Sequence, residues 1–122
     1  MDCTDLMIGS LVYIHEPECK GHRIDAIDEL DGQVGADGEL YDECDIRPIP
    51  LSEDILMKIS IKSSGFTGNV YWFDDFCCVI PKENTFKFMY SKGADYITFH
   101  INYLYQLQHL LFVCGIKKEL NI

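Results

Sequence analysis

The sequence predicts an α+β protein: a β-rich N-terminal lobe, either a small SH3-like barrel or a meander, then a short helix, an antiparallel sheet and a C-terminal helix packed on that sheet. Three observations predict it. Residues 8–50 carry short apolar runs broken by Gly, Pro and Asp-Gly turn signals. Residues 70–101 hold four runs rich in aromatic and β-branched residues. The stretch "NYLYQLQHLLFVCG", residues 102–115, has the spacing of a helix.

In the first lobe "SLVYIH" reads as a strand, and "HRIDAIDEL" as a second with an imperfect period of two. Asp31-Gly32 and Asp37-Gly38 are hairpin signals, both expected as type I′ turns with glycine at positive φ. Two such turns six residues apart imply very short strands. Pro48 and Pro50 close the lobe because neither can sit in a central strand. The expected division is residues 1–50 and 51–122, a division equally compatible with one continuous domain.

From Leu51 the period changes. Ser52 suits an N-cap, Glu53 and Asp54 place negative charge at the positive end of the helix dipole, and Leu51 can staple onto Leu56. This helix is expected to end near Ile59 or Ile61, before a loop "KSSGFTGN". "VYWF", "FCCVI", "TFKFMY" and "YITFHI" follow as an antiparallel meander. Asn102 is the expected cap of the last helix, Gly115 its left-handed terminator, and "KKELNI" an edge strand.

On a helical wheel Leu104, Leu107, Leu111 and Cys114 share one arc, the lid over the sheet. Tyr105, His109 and Phe112, at i, i+4 and i+7, form a second stripe. That stripe is left for the N-terminal lobe or for a second copy of the chain, which would make a homodimer.

The chain of 122 residues has 48% apolar and 25% charged residues, the profile of a folded globular protein. No apolar run reaches the roughly 18 residues of a spanning helix, and the N-terminus lacks a basic region followed by an apolar stretch, so neither membrane nor export is expected. Without an export signal, the six cysteines are expected as free thiols of a cytosolic protein.

Net charge is −10, and it is concentrated. Residues 1–54 carry fifteen acids against Lys20, Arg23 and Arg47, a local −12, whereas residues 55–122 carry +2. Such a half repels phosphate, so direct nucleic-acid binding is not expected. It suits a basic protein surface, and Asp25, Asp28, Glu29, Asp31, Asp37, Glu39, Asp42, Glu43 and Asp45 are the candidate binding residues.

Chemistry-bearing motifs are scarce. His15, Cys19 and His22, with Cys3 or Cys44, offer zinc-type donors, but not at a finger spacing, and Pro17 and Gly21 oppose a helix there. A calcium loop through Gly32 or Gly38 places Ile27 or Gln33 where an acid is needed. There is no nucleotide-cradling glycine loop and no serine elbow, and Cys77-Cys78 lies in an apolar strand. Asp74-Asp75 reads as a solvated turn. The expectation is a protein that is not an enzyme and takes no cofactor or metal. An alternative site for a nucleotide-like signal is an aromatic pocket of Tyr71, Trp72, Phe73 and Tyr90, with lysines nearby for phosphate.

"MIGSLV", "RPIPLSEDILMKI" and above all "YLYQLQHLLFVCGIKKELNI" make the chain resemble a family of small proteins encoded in genomes, prophages and mobile elements of Bacteroides-type gut bacteria. The resemblance implies a bacterial cytoplasm shared with phage and a fold marked by its final helix. Taken with the acidic half, the functional expectation is a non-catalytic binding protein of a phage or mobile element that occludes a host protein such as a defence component. The alternative is a protein that sequesters a small molecule.

Overall fold

The computed structural model describes residues 5–14, 21–65, 68–116 and 120. In them the chain is α+β, with three antiparallel sheets and two α-helices. It divides into two compact units, Met1–Pro50 with Tyr103–His109, and Leu51–Asn102 with Leu110–Ile122. The break after Pro50 falls at the proline punctuation, and Tyr103–His109, from the far end of the sequence, belongs with the first unit.

In the first unit β1 (Leu11–Ile14) lies between β2 (His22–Arg23) and β6 (Ile46–Pro48). Pro48 is tolerated because β6 is an edge strand that pairs only with β1. A second sheet is the meander β3 (Ala26–Asp28), β4 (Gln33–Ala36) and β5 (Glu39–Asp42), followed by a 3₁₀ turn, Glu43–Asp45. The run "HRIDAIDEL" is not one strand but two, in different sheets. Ile24 exchanges hydrogen bonds with the backbone of Gly9 and Ser10, and the next residue, Asp25, donates its N–H to Gly35 O at 2.9 Å. A strand that changes partners within two residues cannot keep one face, which accounts for the imperfect period. Leu6, Val12, Ile14, Ile24, Val34, Ala36 and Ile46 form the buried core, with Ile27, Tyr41 and Tyr105 packed against it.

The two Asp-Gly pairs differ. Asp37 (φ 55°) and Gly38 (φ 82°) are both left-handed and join β4 to β5 as the two-residue turn expected. At the first pair only Gly32 is left-handed (φ 63°), because the connection is a four-residue loop, residues 29–32. Asp28 Oδ1 organises that loop by accepting the N–H groups of Leu30 and Asp31 at 3.1 and 3.2 Å.

The second unit opens with α1 (Glu53–Ile59), where Ser52 Oγ accepts the Ile55 N–H at 3.3 Å. Leu51 and Leu56 are both buried. The expected loop after it is in part a strand, β7 (Ile61–Gly65), exposed along its whole length and paired on one side with β8 (Gly68–Asp74). An edge strand exposed on both faces needs no apolar alternation, so "IKSSG" carries no strand signature. β9 (Cys77–Pro81), β10 (Phe86–Lys92) and β11 (Asp95–Ile101) complete a five-stranded antiparallel sheet in the order β11-β10-β9-β8-β7, matching the four runs read from sequence. Tyr71, Val79 and Phe88 stand opposite one another across β8, β9 and β10, all buried.

Helix α2 (Leu104–Val113) begins one residue later than expected. Tyr103 O accepts the first helical hydrogen bond, from Leu107 N, and Gln106 Oε1 reaches back to accept the Tyr103 N–H at 3.1 Å, half of a capping box. Asn102 instead lends its carbonyl to Leu51 N–H. Gly115 (φ 74°) terminates the helix as expected. Ile116 N–H bonds to Leu111 O and Gly115 N–H to Phe112 O, the paired bonds of a Schellman motif. Leu104, Leu107 and Leu111 are buried and Cys114 is half-buried. The "KKELNI" edge strand lies outside the described residues, apart from Leu120. Among the described residues no helix is long and apolar enough to cross a membrane.

The polar residue that orders the first unit is Gln108, on the same helix and only 8% exposed. Its Oε1 accepts the buried Leu11 N–H at 2.7 Å, and its Nε2 donates to Gly9 O at 3.0 Å. Replacing it by leucine, similar in length and unable to bond, leaves the buried Leu11 N–H without its acceptor, while Gly9 O keeps the Arg23 Nη1 donor at 3.2 Å. Gln108→Leu should therefore lower stability by about 1–3 kcal/mol, read as a reduced urea midpoint. Gly38→Val should cost about 1 kcal/mol or more by strain alone, since nothing lies within 4 Å of the added carbon. Gly38→Asn should restore most of that loss, and equal midpoints for the two variants would contradict the turn assignment.

Candidate functional site

The candidate acidic residues are all in the first unit, and the meander sorts them. In the β3–β4–β5 register Asp28, Gln33 and Asp42 stand in one row, and Ala26, Gly35 and Leu40 in the next. These rows form the outward face, because Val34, Ala36 and Tyr41 turn the other way, toward the core. Asp25 belongs to it too: a Cβ on Gly35 would stand 2.8 Å from Asp25 Oδ1, which places that carboxylate over the outward side of Gly35.

Glu29 and Asp31 occupy the loop at one end of this face. Glu43 joins them, its N–H donating to Gly32 O at 2.8 Å and its side chain lying against Gly32. Asp45 completes a small group with Asp42 and Cys44, whose donor atoms all lie within 4.8 Å of one another. Exposed acids at that spacing are common without an ion. Asp37 and Glu39 stand apart at the opposite end and are engaged locally, Asp37 with His22 Nδ1 and Glu39 with the Tyr41 hydroxyl at 2.8 Å. The sequence-predicted set therefore resolves into a face of Asp25, Asp28 and Asp42, an end group of Glu29, Asp31, Glu43 and Asp45, and two outliers.

Two residues missed in the sequence reading complete this surface. Leu30 is 98% exposed at the loop tip and Leu40 is 67% exposed on the outward face. Their signal was present in "DELDG" and "GELYD", a leucine inside an acidic turn flank with no core to enter. From Ile24 to Ile46 there is no Lys, Arg or His, so nothing on the meander neutralises its own carboxylates.

The helical stripe is split by the structure. Tyr105 packs on the core of the first unit, stacks parallel to Tyr103 at 6.1 Å, and meets His109 edge-on at 5.6 Å. His109 Nε2 lies 3.5 Å from Ser10 Oγ, which itself accepts the Met7 N–H at 3.0 Å. Phe112 is 73% exposed. Of the proposed zinc donors, His15, Cys19 and Cys3 lie outside the described residues. His22 faces Asp37.

The aromatic quartet is also divided. Tyr71 is buried, and its hydroxyl donates to Glu53 Oε1 at 2.7 Å beside the Asn69 amide at 3.2 Å. These two donors hold the Glu53 carboxyl below the usual carboxylate range, whereas burial, then the bond to Glu53, pushes the Tyr71 phenol up to about 12. Trp72 and Phe73 instead line a cavity of about 400 Å³ with Ile61, Asp74 and Asp75. Tyr90 is half-buried and is not among the lining residues. Carboxylates at a cavity repel phosphate.

Cys44, Cys77, Cys78 and Cys114 are free thiols. Burial raises the pKa of Cys77, Cys78 and Cys114, and Asp74 adds to this at Cys77 and Cys114. A catalytic thiol needs the opposite, a depressed pKa beside a cation. Comparison with family models, curated proteins and solved structures finds no match.

Burial lowers the pKa of His109, partly opposed by Asp5. A histidine whose folded pKa is depressed supports the fold while neutral, above its unfolded value near 6.5, and that support is lost as pH falls through the folded value. Melting temperature should therefore drop on acidification from neutrality to pH about 5, and His109→Gln, which cannot charge, should flatten that slope. Parallel profiles for wild type and variant would show that His109 does not set it.

Proposed function

We propose that this is a non-catalytic binding protein that docks on a basic surface of another protein through the outward face of its acidic meander. The observation that carries the reading is Leu40, exposed on the same sheet face as Asp28 and Asp42, a face bearing no basic residue. An apolar contact on a face of like charge fits an interface in which the leucine anchors and the carboxylates steer and select. Together with the resemblance of the C-terminal helix to mobile-element proteins, it supports a phage or mobile-element product that occludes a host protein, a defence component being the kind of target such a protein would block. On this reading the protein works in the bacterial cytoplasm and needs no cofactor.

The test is quantitative capture from a Bacteroides-type lysate with wild type, Leu40→Ala and the double variant Asp28→Asn/Asp42→Asn. The amides keep Asp28's acceptor for the loop and remove only charge. A true partner should be lost with both variants, and its affinity should fall about tenfold or more as salt rises to about 0.5 M, where exposed charges are screened. Proteins retained equally by all three would refute this face as the docking site.

A further inference from the structure

We propose that the cavity at the β7–β8 end of the second unit is a binding site for an organic cation, with a planar guanidinium group as the ligand it fits best. A bulge in β8 lies in its wall. Trp72 pairs with Cys78 and Asp74 with Cys77, so Phe73 is an extra residue between them. Trp72 is partly exposed and Phe73 largely buried, and both line one cavity together with Asp74 and Asp75 at this irregularity. Ile61, directly across from Trp72 in β7, supplies the remaining apolar wall.

The lining decides the ligand. Its volume of about 400 Å³ lies within the usual range for small-ligand sites. Among the described residues, the charged groups that line it are two carboxylates. Lys92 is held over the Phe76 ring, 5.4 Å from the centroid, and is not part of the wall. A phosphate or carboxylate ligand would be repelled, and a neutral apolar one would strip water from Asp74 and Asp75 without replacing it.

A cation satisfies both halves of the site. The Trp72 indole is 37% exposed, and its N–H is already committed to Ser63 Oγ at 3.0 Å, so the ring is held in place with its π surface left to give. Guanidinium is weakly hydrated, stacks on aromatic rings and bonds carboxylates in a fork. Asp74 Oδ1 accepts the Phe76 N–H at 2.8 Å, which fixes the turn that presents the pair. Asp75 is exposed and has no partner among the described residues, so it is the carboxylate most available to the ligand.

Trp72 is the single tryptophan of the chain, so the intact protein reports on its own cavity by fluorescence. N-acetyl-arginine amide should change the emission saturably, and the isosteric but uncharged N-acetyl-citrulline amide should not. Asp75→Asn, a conservative change in an exposed turn, should weaken the arginine response about fivefold or more while circular dichroism stays that of wild type. Asp74→Asn, which keeps its acceptor for Phe76, should weaken it as well. A short extended peptide with one central arginine separates the two sources of the group. Tighter binding than the amide assigns the site to an arginine of a protein chain, and equal binding assigns it to a free guanidino compound. An equal response to citrulline, no saturable response to either form of arginine, or an Asp75→Asn variant indistinguishable from wild type would overturn the proposal.

Discussion

The buried N–H of Leu11 takes its acceptor from Gln108, a side chain far along the sequence that also donates to Gly9 O. Much of the first unit follows from that contact. It fixes the start of β1, and β1 is the middle strand between β2 and β6. The same segment holds Ile24 through Gly9 and Ser10, and Ile24 is where the chain turns out of one sheet into the meander. A side-chain amide can do this because it offers an acceptor and a donor at once, matching an N–H and a carbonyl two residues apart. An apolar residue of the same volume would fill the space and leave the polarity unanswered.

The elements legible in the sequence were those whose signal is local. Ser52 with Glu53 and Asp54 marked the start of α1, Gly115 marked the end of α2, and Asp37-Gly38 marked its hairpin, each through chemistry complete within a few residues. The four aromatic runs were legible because aromatic and β-branched residues are concentrated in them between clear turn signals. What escaped notice depended on distant partners. β7 is a strand only because β8 lies beside it, and the change of sheet at Ile24–Asp25 is set by Ser10 and Gly35. The role of Gln108 escaped for the same reason: on a helical wheel it is one more polar residue.

The candidate surfaces show the same division. Composition located the acidic half, but the pairing register decides which acids share a face, and it separates Asp37 and Glu39 from Asp28 and Asp42. The aromatic cluster fared likewise. Alternation sends Tyr71 inward to Glu53 and Trp72 outward, and a bulge that leaves no mark in the sequence lies in the wall of the cavity that Trp72, Phe73, Asp74 and Asp75 line. The two surfaces also differ in kind. One is a charged sheet face with an exposed leucine, and the other is a cavity walled by aromatic rings and carboxylates.

The pairing of Gln108 with Leu11 spans 97 residues of sequence. The first unit therefore cannot be completed until Gln108, translated 97 residues after Leu11, has emerged from the ribosome. Until then β1 lacks the acceptor for its first N–H, and the core of Val12, Ile14 and Ile24 lacks the cover of Tyr105. Loop closure over such a distance is slow compared with the formation of local hairpins. The meander, closed by short turns, is then the first piece able to form, and its excess of negative charge keeps nascent copies apart while they wait. Through this long-range closure the acidity that suits a finished surface also protects an unfinished one.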